Sequence, residues 1–185
     1  MRLSNLLLPV ILACSIAPSA LADNPCSSIA TQEPSQEIRK FDNKKISFDM
    51  PANYRIMNTQ WGLMVHSPWS YEVYNCQVNS NYPGGYRENG IIVQVMSYPE
   101  TTKFIQGIYQ LDEHTKETFY PETTAKMFVM AGPEAASAIV FFVKNDKVVS
   151  IEIPVNSNDD GTGSTEIPEI YKSTVDLIMS TIQVK

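Results

Sequence analysis

Residues 137–155 limit the possible folds more than any other part of this chain. They read SAIVFFVKNDKVVSIEIPV, two apolar runs on either side of the polar pair Asn145 and Asp146. Asn and Asp are common in two-residue hairpin turns, so the pattern predicts a β-hairpin in which Lys144 faces Lys147. We interpret this hairpin as the centre of a sheet around which the remaining chain packs.

The two faces of the predicted hairpin differ in polarity. One face is wholly apolar and pairs Phe142 with Val149, Val140 with Ile151 and Ala138 with Ile153. The other face is mixed and carries Ser150 and Glu152. An apolar face must be covered, whereas a mixed face can be less deeply covered. Glu152 could therefore line a shallow pocket, or it could face solvent on a half-covered sheet.

The N-terminus has the pattern of a secretory signal peptide. Arg2 provides a positive start, residues 6–13 are apolar, and residues 20–22 form a small-x-small cleavage pattern. We predict a signal peptide over residues 1–22, an N-terminal arm or tether over 23–44 and a single domain over 45–185. The protein is then periplasmic or secreted and bacterial. The alternative is a lipoprotein anchored at Cys14, because residues 11–14 resemble a lipobox.

Export determines how the cysteines are interpreted. Cleavage after Ala22 removes Cys14 and leaves Cys26 and Cys76, which we expect to form a disulfide in an oxidising compartment. That bond would close a loop of about 50 residues and stabilise the fold by about 4 kcal/mol through the entropy of the unfolded chain. The alternative is a pair of free thiols.

Strand and helix patterns predict an α+β fold. Alternation and short apolar runs indicate strands at residues 45–50, 54–57, 61–66, 71–78, 91–98 and 125–131, in addition to the hairpin. Apolar stripes indicate one helix from Thr101 or Thr102 to about residue 118 and a second over 168–180. Residues 182–184 form an edge strand or a trailing segment. The expected architecture is a mainly antiparallel sheet flanked by two amphipathic helices.

Several of these segments resemble one family. ISFDMPANYRI is similar to the opening of PsbP-like domains, a group that includes bacterial DcrB-like periplasmic proteins. IIVQVMSYPETTKFIQGIYQL resembles the strand and amphipathic helix of that group, and IYKSTVDLIMSTIQV resembles its C-terminal helix. The resemblance covers about residues 45–184. It implies an α/β sandwich and a binding or accessory role, because the family has no common active site.

Signatures of catalysis are absent from the sequence. There is no Gly-x-Ser-x-Gly elbow, and neither His66 nor His114 belongs to a close cluster of metal-ligating residues. We interpret His66 as a histidine at a loop edge and His114 as part of a solvated helix face. The net charge of −6 argues against nucleic acid and anionic membrane surfaces as partners. We expect no catalysis, no metal and no cofactor.

One loop resembles the start of a calcium site. Residues 156–161 read NSNDDG, with oxygen ligands at alternate positions before a glycine. The twelfth position of such a loop carries a bidentate acid, but here it is Ile167, with Glu166 one residue early. We favour a connector between a strand and a helix.

Aromatic residues are concentrated in one region, and they are Trp61, Trp69, Tyr71, Tyr74, Tyr82 and Tyr86. Trp and Tyr provide large contact areas at low entropic cost, so this region is a candidate recognition surface. The alternative is ordinary strand packing.

Our leading hypothesis is an exported, non-catalytic adaptor or immunity-like protein that engages a protein partner. A periplasmic small-ligand or carbohydrate-binding protein is the alternative, and a hydrolase that uses Glu152 or His66 is the third possibility.

Overall fold

The structure is a computed structural model that describes residues 25–80, 90–111, 116–121, 123–131, 136–155 and 166–185. Within these residues the chain forms an α+β fold with two antiparallel sheets and three helices, which confirms the predicted class. In chain order the elements are β1 (Ile38–Asp42), β2 (Ile46–Pro51), β3 (Arg55–Thr59), β4 (Gly62–His66), α1 (Pro68–Ser80), β5 (Ile91–Met96), α2 (Tyr98–Leu111), β6 (Lys116–Phe119), β7 (Lys126–Ala131), β8 (Ala136–Lys144), β9 (Lys147–Val155), α3 (Glu169–Thr181) and β10 (Gln183–Val184).

The predicted hairpin lies at the centre of the larger sheet. In the described part of the chain this sheet has the strand order β3-β4-β5-β9-β8-β7-β6. Lys144 pairs with Lys147, and the other predicted pairs follow in register. Asn145 has a φ of 49° and Asp146 a φ of 58°, the left-handed conformation that a type I′ turn requires at both positions. The predicted turn and register are confirmed.

The apolar face of the hairpin is covered by α3 and the smaller sheet. Val140, Val149 and Ile151 are fully buried there, in one cluster with Val175 and Ile178 of α3. The smaller sheet has the order β1-β2-β10, and its strand β2 packs against α3. Burial of each such side chain contributes roughly 1.5–3 kcal/mol, so this cluster is the main source of stability.

The mixed face of the hairpin is covered by α2. Phe104 of α2 packs edge-on against Phe141, with ring centroids 6.1 Å apart. Phe141 also belongs to a second buried cluster, with Phe128, Ile139 and Val148. Because α2 and α3 pack on opposite faces, helices flank the larger sheet as predicted.

The prediction of a strand over residues 71–78 is wrong, because these residues lie in α1. Ser67 precedes the helix, and its Oγ accepts a 3.1 Å hydrogen bond from the backbone N–H of Ser70. Pro68 occupies the first helical position, where its missing N–H costs nothing. A serine followed by a proline is a signal for a helix start, and it outweighs the apparent alternation that follows.

The bounds of α2 also differ from the prediction. The helix begins at Tyr98 and ends at Leu111, and Lys116–Phe119 forms strand β6 where the helix was expected to continue. The early start has a local cause. Ser97 and Glu100 form a capping box, in which the Ser97 N–H donates to Glu100 Oε2 at 2.7 Å and the Glu100 N–H donates to Ser97 Oγ at 3.4 Å.

The predicted N-terminal arm contains a strand. Ile38–Asp42 forms β1, which pairs antiparallel with β2 along its whole length. The C-terminal predictions are confirmed: the second helix is α3, and Gln183–Val184 adds to the other edge of β2. No helix in the described ranges is long and apolar enough to cross a membrane.

Some predictions concern residues outside the described ranges. These are the signal peptide over residues 1–22, the lipid anchor at Cys14, the recognition residues Tyr82 and Tyr86, the helical His114 and the loop over 156–161.

Candidate ligand pocket

The predicted disulfide is present. Cys26 and Cys76 are bonded, with their Cα atoms 5.8 Å apart, so the N-terminal segment is attached to α1. Trp69 adds a second attachment, because its Nε1–H donates a 3.2 Å hydrogen bond to the carbonyl of Ile29. The half-buried Trp69 therefore has a structural contact in this region.

His66 ends β4 as predicted, and its side chain is fully buried. Its Nδ1 lies 3.2 Å from Ser70 Oγ, and Ser70 Oγ lies 3.2 Å from the Ser67 carbonyl oxygen. The Ser70 hydroxyl thus lies within hydrogen-bond distance of both the imidazole and the Ser67 carbonyl. Within the described residues, Nε2 has no hydrogen-bond partner.

The surroundings of His66 are aromatic. The rings of Tyr71 and Tyr74 lie 6.2 Å and 5.6 Å from the imidazole, measured between centroids. Burial lowers the pKa of His66 from 6.5 to about 4, so the ring is neutral at pH 7. The neighbouring Ser70 hydroxyl is also buried. This is the arrangement of a structural histidine, and Tyr71 packs into the same cluster.

Glu152 lies in the middle of β9, opposite Ile92 on one side and Ile139 on the other. It is half-buried on the mixed face of the larger sheet. It does not line the pocket that Trp61 borders.

A pocket of about 560 Å³ opens at one end of the layer between the two sheets, and we call it the Trp61 pocket. Its base is formed by Ile46 of β2, Leu63 of β4 and Val93 of β5, which all belong to the main buried cluster. Two turns and strand β5 form its rim. The rim residues are Asn43, Lys44 and Lys45 from the β1–β2 turn, Asn58, Thr59, Gln60, Trp61 and Gly62 from the β3–β4 turn and the strand ends beside it, and Gln94, Val95 and Met96 from β5.

The β1–β2 turn is held by Asn43. Its Oδ1 accepts hydrogen bonds of 2.8 Å from the backbone N–H groups of both Lys45 and Ile46. The C-terminal Lys185 supports the same turn, since its Nζ donates a 2.8 Å hydrogen bond to the Asn43 carbonyl and forms an ion pair with Asp42. That ion pair holds the pKa of Asp42 below its usual value. The backbone that carries the two rim lysines is therefore fixed.

The β3–β4 turn is held by Thr59 and depends on a glycine. Thr59 Oγ1 accepts a 3.1 Å hydrogen bond from the Trp61 N–H and donates one of 3.1 Å to the Gly62 carbonyl. Gly62 has a φ of +136°, a conformation that side chains rarely allow. A Cβ at this position would lie 2.6 Å from Gln94 Cγ and 2.8 Å from the Val93 carbonyl oxygen. The glycine lets the turn lie directly on β5.

The resulting site has the chemistry of a ligand pocket. Small-molecule sites are cavities of about 300–1,000 Å³ with apolar walls and a few convergent polar groups. Here the base is apolar, and the rim offers amide and ammonium groups. Trp61 is 56% exposed at this rim, so a large aromatic face is available to a ligand.

Of the predicted recognition residues that the structure describes, Trp61 lines this pocket. Trp69 and Tyr71 lie on α1 and do not line it. Asn43 and Gln94 also line the pocket, although neither is a predicted site residue. Residues 42–45 read DNKK, which is a turn signal before a strand, but they span the predicted boundary between the arm and the domain. Gln94 has the pattern of an ordinary polar strand residue and gave no signal.

The described residues thus define an α+β protein with a disulfide-attached N-terminal segment and an open pocket. In the described part of the chain, no group of three His, Cys, Asp or Glu residues could hold a metal ion.

No protein-family model matches this chain, and no curated protein sequence matches it. Among solved structures, it is similar to the solution structure of cyanobacterial PsbP (CyanoP) from Synechocystis sp. PCC 6803. The TM-score is 0.36 and the sequence identity 8%, over 86% of this chain and 97% of the other. Membership of the DcrB-like group stays a prediction.

Proposed function

We propose that this chain is an exported, non-catalytic binding protein whose recognition site is the Trp61 pocket. The observation that carries the proposal is the position of Trp61, which is 56% exposed at the rim of a 560 Å³ pocket. Its backbone is fixed by Thr59 and Gly62, so a ligand can contact the ring without the entropic cost of ordering a loop.

Two observations support export to the periplasm or the cell exterior. Residues 1–22 have the composition of a signal peptide, and Cys26 is bonded to Cys76. Structural disulfides persist in oxidising compartments and are rare in the cytosol. The intact mass of the exported protein tests this directly: loss of residues 1–22 and of two thiol hydrogens is expected, whereas a lipid on Cys14 would add mass.

The proposed absence of catalysis rests on where the candidate residues lie. His66 and Ser70 are both buried, and Glu152 lies outside the pocket. The described lining contains no Asp, Glu, His or Cys that could act as a carboxylate, imidazole or thiolate catalyst.

The pocket favours a small ligand over a protein partner. Its volume lies in the range of small-molecule sites, and its lining includes the buried Ile46, Leu63 and Val93. A protein partner is the second candidate, in an adaptor or immunity-like role. It is favoured by β3, an edge strand of the larger sheet whose backbone could pair with an extended peptide beside Trp61.

Thermal unfolding of the mature protein with a panel of periplasmic small molecules tests the proposal. A ligand at 100 times its Kd stabilises the fold by about 2.7 kcal/mol, which raises Tm by several degrees. We expect this increase in the wild type and not in Trp61→Ala. The matched control is Phe119→Ala, since Phe119 is 62% exposed on β6 and does not line the pocket.

The outcomes separate the two candidates. An equal increase in Tm for Trp61→Ala and Phe119→Ala would contradict the pocket as the site. The protein-binding role would be favoured if no small molecule raised Tm and if the wild type retained a periplasmic protein that Trp61→Ala did not retain.

A further inference from the structure

We propose that the Trp61 pocket binds an amphipathic anion, a carboxylate or phosphate attached to an apolar body. This inference rests on the proposed function, because it names the class of ligand for the same pocket.

The charge of the rim indicates an anion. The whole chain has 20 acidic and 14 basic residues and a net charge of −6. The described lining of the pocket departs from this balance, since it contains Lys44 and Lys45 and no acidic residue. A local positive potential on an acidic protein attracts an anion to one place on its surface.

The nearest acid on the same turn does not cancel this charge. Asp42 precedes the turn and is ion-paired with Lys185, which also donates to the Asn43 carbonyl. The two rim lysines are therefore available to a negatively charged head group that lies at the pocket entrance.

The base of the pocket indicates an apolar body. Ile46, Leu63 and Val93 are members of the main hydrophobic cluster, and the pocket reaches them between the two sheets. Each methylene group that is buried there strengthens binding about fourfold. Trp61 lies at the rim, where its amphipathic ring contacts both the apolar body and the head group.

A neutral saccharide fits these surfaces less well. Its hydroxyl groups surround the edge of the ring, so a saccharide that entered the pocket would turn some of them towards the apolar base without hydrogen-bond partners. The Lys44 and Lys45 ammonium groups would also lack a complementary charge. An ion with an apolar tail satisfies both ends of the pocket.

Fluorescence of Trp61 provides the test. The chain has two tryptophans, so Trp69→Phe leaves Trp61 as the single reporter at the pocket rim. The probes are decanoate, octanoate, decyl phosphate, 1-decanol and maltose, each below its aggregation concentration. We expect decanoate to change the emission of Trp61, octanoate to bind about fifteenfold more weakly because it has two methylene groups fewer, and decanol to bind at least tenfold more weakly than decanoate. Comparison of decanoate with decyl phosphate identifies the preferred head group.

Charge variants supply the matched control. Lys44→Gln with Lys45→Gln should remove the preference for decanoate over decanol. Lys103→Gln with Lys116→Gln removes the same charge from exposed positions outside the lining and should retain that preference. If Trp69→Phe does not fold, calorimetric titration of the wild type and the two double variants gives the same comparison.

The outcomes that overturn this inference differ from those that overturn the proposed function. Equal binding of decanoate and decanol to the wild type, or binding of maltose without any response to decanoate, would contradict an amphipathic anion while the pocket remains the site. The pocket itself would be contradicted only if Trp61→Ala left every ligand response unchanged.

Discussion

Asn145 Nδ2 donates a hydrogen bond of 2.9 Å to the backbone carbonyl of Val184, across 39 residues of sequence. The bond joins the turn of the central hairpin to β10, the last strand of the smaller sheet. Asn145 also has a φ of 49°, so one residue provides both the turn conformation and the contact between the sheets. The hairpin therefore organises the larger sheet and also holds the C-terminal strand.

Replacement of Asn145 separates these two roles. Asn145→Gly keeps the left-handed conformation and removes the hydrogen bond, so we expect a loss of about 1 kcal/mol in the free energy of unfolding. Asn145→Ala also loses the tolerance of asparagine for the left-handed conformation, so it should cost about 2 kcal/mol. Urea denaturation of the two variants measures the difference. Equal stability of the two variants would contradict a type I′ requirement at this position.

The hairpin could be predicted because its signals are local: alternation in two runs and a turn pair with a known preference. The helix α1 was missed because the alternation of Tyr71 and its neighbours imitates a strand, while the Ser67 cap is a single-residue signal. The pocket could not be predicted, because Asn43, Trp61 and Gln94 are far apart in sequence. Only the pairing of β4 with β5 and the packing of the two sheets bring them together.

Acidification should destabilise the protein through His66. The pKa of this buried histidine is about 4 in the folded state, whereas the ordinary pKa of a histidine exposed to solvent is 6.5. The folded state therefore favours the neutral ring. The resulting stability is fully present above pH 6.5 and is lost as the pH falls from 6.5 towards 4. The loss reaches at most about 3 kcal/mol.

The control for this pH dependence is His66→Gln, which does not titrate. Carboxylates titrate in both proteins, so the difference in unfolding free energy between the two, measured from pH 7.5 to 4.5, isolates the histidine. A difference that stays constant over this range would show that protonation of His66 is not coupled to folding.

Removal of the disulfide should lower stability without a change of fold. Cys26 and Cys76 are 50 residues apart in sequence, and closing a loop of that length stabilises a folded chain by about 4 kcal/mol. The variant Cys26→Ser with Cys76→Ser, and the reduced wild type, should show the same decrease in the midpoint of guanidinium unfolding. If the reduced wild type were as stable as the oxidised protein, the attachment of the N-terminal segment would not contribute to folding.

A buried hydroxyl pair joins the start of β3 to α3. Thr174 Oγ1 donates a 3.1 Å hydrogen bond to the hydroxyl of Tyr54, which is fully buried and contacts the Ile170 carbonyl at 3.5 Å. Burial raises the pKa of Tyr54. We expect Tyr54→Phe to cost about 1–2 kcal/mol, because Thr174 then lacks its partner in the core.

A double-mutant cycle tests this pair. Thr174→Val removes the second hydroxyl with little change in shape, so Tyr54→Phe with Thr174→Val should be less destabilised than the sum of the single variants. Denaturant unfolding of the four proteins gives the coupling energy. Strict additivity would mean that the two hydroxyl groups contribute independently.

Gly62 provides the sharpest test of how the fold positions the pocket. A Cβ at this residue would lie 2.6 Å from Gln94 Cγ and 2.8 Å from the Val93 carbonyl oxygen, and its φ of +136° is strained for alanine. Gly62→Ala should therefore displace the turn that carries Trp61 and cost about 2 kcal/mol or more. Any ligand response that depends on Trp61 should fall with it.

Gly107 of α2 is the matched control, because a Cβ there would have no atom within 4 Å. Gly107→Ala should stabilise the protein by roughly 0.5–1 kcal/mol, since alanine loses less conformational entropy than glycine in a helix. Thermal unfolding and the Trp61 emission spectrum compare the two variants. An unchanged Tm and spectrum for Gly62→Ala would contradict the close approach of the β3–β4 turn to β5, and with it the fixed position of the tryptophan at the pocket rim.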